Sequence, residues 1–293
     1  MTLPLPEVVS GRFVQGMDEE EYHAHPALSQ TGMKALLRSP RYFRAQRSMN
    51  KAKAEFDVGH AAHALVLGVG APIVEIPDRL LSGEYRSIQS AAAKQFKADA
   101  EAEGQTVLKP LVYAEVRRMA DAVLMNAKAR RLLELPGFTE CSLFADDPVT
   151  GVHLRGRLDR LAWDDELGWL PLDAKTTTDV QRRKLTTSIV DFGYDIQFVV
   201  YDMLLRLIFG VEPQPMHFIF VEKAFPHEVR VVRMGDPAWR AGGEEKMRAA
   251  LDLFAWCTER GEWPGDDEDG GDVQDLEAPG WYRAQTNLGE VFS

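Results

Sequence analysis

The chain has 293 residues, 45% of them hydrophobic and 27% charged, a balance that supports a packed core and excludes a disordered polymer. No apolar run nears the roughly 18 residues of a bilayer span, Met1 to Pro6 lacks signal-peptide order, and two cysteines, Cys141 and Cys257, exclude a disulfide framework, a cysteine-ligated iron–sulfur cluster and a four-thiolate zinc site. The net charge of −11 argues against a phosphate-rich partner, yet Glu262 to Glu277 holds eight acids and no base, which leaves about −3 elsewhere. The chain therefore reads as cytosolic, with no membrane partner.

In chain order, Ser29 is a good N-cap for a helix through Leu36 and Leu37. Ser39-Pro40 stops it and starts another, with Pro40 at the first helical position. A third helix is expected over Val58 to Leu67, where Gly59, Ala61, Ala62 and Ala64 allow close packing. Longer helical patterns run over Ser87 to Ala102 and Pro110 to Leu135. At Gly137 the period becomes alternating, with strands predicted over Thr139 to Phe144, Val152 to Trp163 and Trp169 to Thr176, separated by compact polar turns. An amphipathic helix over Asp191 to Phe209 follows, then strands over Met216 to Val221 and Glu228 to Arg233, and a helix over Pro237 to Arg260. The order after Gly137, βββαββα, predicts an α/β fold with a mixed central sheet flanked by helices. The chain divides into a helical part (1–136), an α/β core (137–260) and an acidic, Gly-rich segment (261–293) that reads as a mobile linker or tail, the whole forming one compact domain.

Residues two apart in a strand point the same way. Asp173 and Lys175 of Leu172-Asp173-Ala174-Lys175 therefore share a face, and Asp159 shares one with Arg157. If the two strands pair across the turn from Asp164 to Gly168, both carboxylates come within reach of one divalent cation. Two carboxylates, a backbone carbonyl and water are the hard oxygen ligands that Mg²⁺ prefers. A lysine beside them can orient the attacking water and stabilise charge on a phosphorane-like transition state. Gln197 and Tyr201, four apart, stack on one face of the following helix. Two groups of arginines, Arg38, Arg41, Arg44 and Arg47, then Arg155, Arg157 and Arg160, are candidate phosphate contacts.

The ordered set Gly156-Arg157-Leu158-Asp159, Leu172-Asp173-Ala174-Lys175-Thr176-Thr177 and Tyr194-Asp195-x-Gln197-x-x-x-Tyr201 resembles the RecE-type (exodeoxyribonuclease VIII-like, phage and prophage) and lambda-type exonucleases of the PD-(D/E)xK superfamily. Tyr22-His23-Ala24, Leu28-Ser29, Ser39-Pro40 and Gly59-x-x-x-His63 resemble the segments that precede the core in the RecE-like branch. The resemblance spans roughly residues 20 to 235. It implies a restriction-endonuclease-like core and a Mg²⁺-dependent exodeoxyribonuclease, with Mn²⁺ as a substitute, acting 5′→3′ on double-stranded DNA ends to prepare single strands for recombination. It implies a bacterial or phage origin, a homo-oligomer and a single-strand annealing recombinase as partner. By position, Asp159, Asp173, the Ala174 carbonyl and His63 would hold the metal, and Lys175 would be the catalytic lysine. Glu140 would match an acid often found on the preceding strand, and Gln197 and Tyr201 would position DNA or the lysine. Arg38, Arg44 and Arg157 would contact DNA.

Asp173 departs from the commoner glutamate, which shortens its reach. Two other readings compete: a nuclease-like module that binds DNA or protein without cutting, its acidic run imitating nucleic acid, and a structure-specific or single-strand endonuclease on the same residues.

Overall fold

A computed structural model describes residues 6–49, 58–68, 72–83, 86–265, 273, 275–280 and 282. The first part of the chain forms β1 (Arg12–Gln15), α1 (Glu19–Ala24), β2 (Leu28–Ser29), α2 (Gln30–Arg38), α3 (Pro40–Met49), α4 (Val58–Leu67), β3 (Ile73–Glu75), α5 (Ala91–Ala102), β4 (Thr106–Leu108), α6 (Pro110–Met125) and α7 (Ala127–Glu134). The second part forms β5 (Gly137–Asp146), β6 (His153–Asp164), β7 (Gly168–Thr177), α8 (Arg182–Phe192), α9 (Tyr194–Phe209), β8 (His217–Glu222), β9 (Val229–Arg233) and α10 (Pro237–Arg260). Five of the eight acids between Glu262 and Glu277 lie outside the described residues.

The caps fall where the sequence puts them. The Ser29 hydroxyl accepts the Gly32 N–H at 3.1 Å, and the Ser39 hydroxyl accepts the Tyr42 N–H at 3.1 Å. The expected helix from Pro110 to Leu135 is two helices, because Asn126 leaves the helical conformation and its side chain caps α7 from the Lys128 and Ala129 N–H groups. The expected helix from Asp191 is likewise interrupted at Gly193. That residue, at φ +68°, ends α8 in the left-handed region and opens α9.

The central sheet is mixed, in the order β1-β5-β6-β7-β8-β9, with β7 and β8 parallel. Two N-terminal strands join it: β1 pairs antiparallel with β5, and β2 lies parallel to β6 through Leu28 and Ser29. One face is covered by α9, over which α2 and α10 pack. Helix α9 is buried on nearly every side rather than amphipathic, since Ile196, Phe198, Val199, Val200, Leu204 and Leu205 are all in the core. The α9–α10 crossing is close at Gly243, where a Cβ would stand 2.6 Å from the Asp195 carbonyl oxygen. The opposite face of the sheet is covered by α4 and α6, which bury Ala61, Ala62, Val116 and Met119 against Ile219 and Val221 of β8. Both cysteines are buried free thiols. No helix among the described residues is long and apolar enough to cross a membrane.

Candidate active site

The site lies where the sheet opens. Strands β6 and β7 pair from Asp164 and Gly168 down to Arg160 and Leu172, and the next residues in register, Asp159 and Asp173, stand where the strands part. On the same edge of β6, β2 pairs only as far as Arg155. Between these ladders, Gly156 to Asp159 have no strand partner on that edge. Tyr201 of α9 fills the gap: its hydroxyl donates to the Arg157 carbonyl at 2.8 Å and accepts the Arg157 N–H at 3.4 Å. Only a glycine lets α9 come so near, because a Cβ on Gly156 would stand 2.7 Å from Tyr201 Cε1.

The backbone is distorted at the same level. Phe138, Cys141 and Leu143 of β5 all pack on the α9 side, as do Leu154, Leu158 and Leu161 of β6, so the alternation slips by one residue on both strands at Glu140 and Asp159. Glu140 achieves this with φ +50°, a left-handed conformation that costs about 1–3 kcal/mol for a non-glycine residue. Strain of this kind persists where neighbours over-determine it. Here Arg157 Nε donates to Glu140 Oε2 at 2.6 Å, and the Gly16 N–H donates to the Glu140 carbonyl at 3.2 Å.

The predicted residues converge. Asp159 accepts the Ala174 N–H at 2.7 Å and pairs with His63 Nε2 of α4 at 2.6 Å. His63 Nδ1 lies 3.9 Å from Glu140. Asp173, whose side chain is 1% exposed, pairs with Lys175 through one oxygen and accepts the Gln197 amide through the other. Lys175 Nζ in turn sits 5.4 Å from the centre of the Tyr194 ring. Gln197 thus holds the acid of the triplet rather than its lysine, and Tyr201 holds the strand carrying Arg157.

These contacts set the protonation states. Burial works to raise Asp159, but His63, Lys175 and the Ala174 N–H outweigh it and hold the carboxyl below its ordinary value. Asp173 is pushed up to about 7 by burial and by the charge of Asp159, against the pull of Lys175. His63 is raised to about 9, because Asp159, Asp173 and Glu140 outweigh the burial that lowers it. Lys175 is raised as well, burial being outweighed by Asp173 and Asp159.

The expectation of His63, Asp159 and Asp173 gathered around one ion is not met as the side chains stand. Among the described residues no three His, Cys, Asp or Glu side chains are placed to hold a metal ion. The reason is local, since His63 draws Asp159 to one side while Lys175 and Gln197 hold Asp173 on the other. The chemistry of the donors nonetheless suits a hard dication. Burial and the charge of Asp159 raise the proton affinity of Asp173, a cost that a shared cation relieves, and Gln197 Oε1 is buried beside them with no hydrogen-bond partner among the described residues.

The acids floor a cleft of about 1340 Å³ that is also lined by Arg47, Arg155 and Arg157. Arg155 donates to the Tyr22 carbonyl and lies 4.7 Å over the Tyr22 ring, with Arg157 at 5.5 Å over the same ring. Arg38 and Arg44 do not line the cleft; they rest over Tyr42 at 4.0 Å and over Trp263 at 5.8 Å. Arg160 donates to the Leu135 carbonyl instead. Arg155, a candidate phosphate contact in the sequence, does line the cleft, two positions before Arg157 on the same face. Tyr22 and Tyr194 line it too, although the sequence assigns neither a role in the site.

No curated protein matches the chain. Among solved structures, a candidate exonuclease from Eubacterium rectale is similar over 94% of this chain and 100% of its own, with a TM-score of 0.56 at 12% identity, a likeness of fold alone. An alkaline exonuclease from Laribacter hongkongensis aligns over 68% of this chain and 91% of its own at 14% identity, with a TM-score of 0.27, too slight a likeness to argue from. A family model described as a PDDEXK-like domain of unknown function matches residues 29–271, most of the chain, and the protein belongs to that family, DUF3799.

Proposed function

We propose that the protein is a metal-dependent deoxyribonuclease, a 5′→3′ exonuclease that resects double-stranded DNA ends to leave single strands for recombination. The observation that supports this best is the meeting of Asp159 and Asp173 where β6 and β7 part, with Lys175 paired to Asp173 at the floor of a cleft edged by arginines. Polarity, the preference for duplex ends, a homo-oligomeric state and an annealing recombinase as partner are drawn from the RecE-like resemblance.

Asp159, Asp173, His63 and the Ala174 carbonyl would hold Mg²⁺, or Mn²⁺ in its place. When bound, such an ion polarises the scissile phosphate and lowers the pKa of a water molecule. Lys175 supplies a fixed positive charge beside the phosphate, where negative charge grows in the transition state. Gln197 keeps the Asp173 carboxylate in one orientation, and Tyr201 keeps the Arg157 segment of β6 in place. Arg157, already joined to Glu140, faces the DNA backbone, with Arg38 and Arg44 as outer contacts.

The test is incubation of the purified protein with Mg²⁺ and three substrates: linear duplex labelled at either end, covalently closed duplex, and circular single-stranded DNA. Wild type should shorten the linear duplex from its 5′ ends and leave both circles intact, and Asp173→Ala should do nothing. Cleavage of the single-stranded circle would instead favour an endonuclease. No cleavage by wild type, or equal cleavage by Asp173→Ala, would refute the proposal.

A further inference from the structure

Helix α8, which joins the β7 strand of Asp173 and Lys175 to the α9 helix of Gln197, ends in an aromatic residue that the core does not use. Phe192 is 56% exposed. Its ring stacks on Tyr194 at 5.8 Å and 30°, and Tyr194 lines the cleft beside Lys175. On its other side Phe192 meets α2, where Lys34 Nζ lies 5.4 Å from the ring centre.

Helix α2 leads outward from the cleft. Thr31 lines the cleft, and Lys34 and Arg38 follow at i+3 and i+7, on the same helical face. Lys34 and Arg38 are about 6 Å apart along the axis, and Arg38 lies 4.0 Å over the Tyr42 ring. No carboxylate among the described residues pairs with either cation. Three cation and ring pairs therefore succeed one another from the acidic floor outward: Lys175 with Tyr194, Lys34 with Phe192, and Arg38 with Tyr42.

An exposed ring stacked on a second ring is a surface that a nucleobase can extend, and cations at its side can follow the phosphates of the same strand. Duplex DNA offers no such partner, because its bases are already stacked on each other. We propose that Tyr194, Phe192, Lys34 and Arg38 form a track for an unpaired DNA strand running from the cleft along α2. The identity of the ligand rests on the nuclease reading, whereas the track itself is tested by binding without cleavage.

Binding is measured by fluorescence anisotropy in EDTA, with the full chain and a labelled 15-nucleotide oligothymidylate or a blunt duplex of equal length. Base stacking on an aromatic side chain contributes about 1–3 kcal/mol per base, so Phe192→Ala should weaken oligothymidylate binding by roughly 5- to 160-fold and leave the blunt duplex unaffected. Leu111→Ala, at an exposed position near the start of α6, serves as the control and should bind like wild type. The double variant Lys34→Ala/Arg38→Ala should flatten the dependence of log K on log salt by about 1.4, at roughly 0.7 per phosphate contact in a single strand. The track is overturned if wild type fails to bind oligothymidylate, if Phe192→Ala binds it like wild type, or if that variant loses duplex binding equally. A chain that binds single strands through Phe192 but cuts nothing in Mg²⁺ would keep the track and remove the nuclease reading. One that cuts duplex ends with Phe192 immaterial to binding would do the reverse.

Discussion

Replacing Tyr201 by phenylalanine isolates one hydroxyl at the opening of the sheet. The ring stays, so packing against Gly156 and the core is kept, and only the oxygen that bonds both backbone polar groups of Arg157 is lost. Tyr201 is 4% exposed, so water does not readily replace that oxygen. A neutral hydrogen bond contributes about 0.5–1.5 kcal/mol net, but leaving a buried carbonyl and N–H unpaired raises the loss to about 1–3 kcal/mol. That is a sizeable share of the 5–15 kcal/mol, roughly, that holds a domain together. Equilibrium denaturation in urea should therefore show a lower midpoint with an unchanged slope. Cleavage should fall as well, because Arg157 is two residues from Asp159 and small displacements at a reacting centre are costly. A midpoint equal to that of wild type would show that the tyrosine does not stand in for the missing strand, and the account of how the gap is held would fail.

Three further changes test the surroundings. Gly156→Ala places a Cβ within 2.9 Å of Leu204 Cδ1 and closer still to Tyr201, so it should destabilise by about 1–3 kcal/mol through overpacking, read from the same urea midpoint. Arg248→Ala strips two hydrogen bonds, at 2.8 and 2.9 Å, from the buried Asp147 carboxylate and should cost about 1.5–3 kcal/mol, measured by thermal unfolding. His217 is lowered from 6.5 to about 4 by burial and by Arg233. Between those values the unfolded chain takes up a proton that the native chain refuses, so the contribution of His217 to stability should fall as pH drops from 7 to 5, by about 2 kcal/mol, while Asp173, raised to about 7, contributes in the opposite direction. A variant with His217→Asn should lack that part of the slope, and an identical pH profile would contradict the assignment.

The core of the fold was legible because its main strands are long, apolar and bounded by compact polar turns. Pairing across the short turn from Asp164 to Gly168 followed from those turns, and with it the placing of Asp159 and Asp173 where the strands part. What escaped was short or irregular. Strand β1 has four residues and β2 two, too few to show a period, and only pairing with β5 and β6 gives them extended form. Helix α8 buries only Leu185 and Ile189, and its other apolar residues, Val190 and Phe192, are exposed, so its buried face is too narrow to announce a helix. The left-handed turn at Glu140 has no signature in a residue that is not glycine. The ion pair of His63 with Asp159, which draws that carboxylate aside, depends on how α4 approaches the sheet, a tertiary fact that no local pattern carries.

The central claim is that the carboxylates hold a metal while Lys175 acts on the substrate, and calorimetric titration of Mn²⁺ into folded variants, paired with a cleavage assay on linear duplex, tests it most directly. The expectation is that Lys175→Ala binds Mn²⁺ about as well as wild type yet loses cleavage, a loss on the order of 10²- to 10⁴-fold. Asp159→Ala and Asp173→Ala should lose both, since each removes an oxygen ligand without a substitute. A Lys175→Ala protein that loses Mn²⁺ as completely as Asp173→Ala, or that cuts at nearly the wild-type rate, would contradict the division of roles.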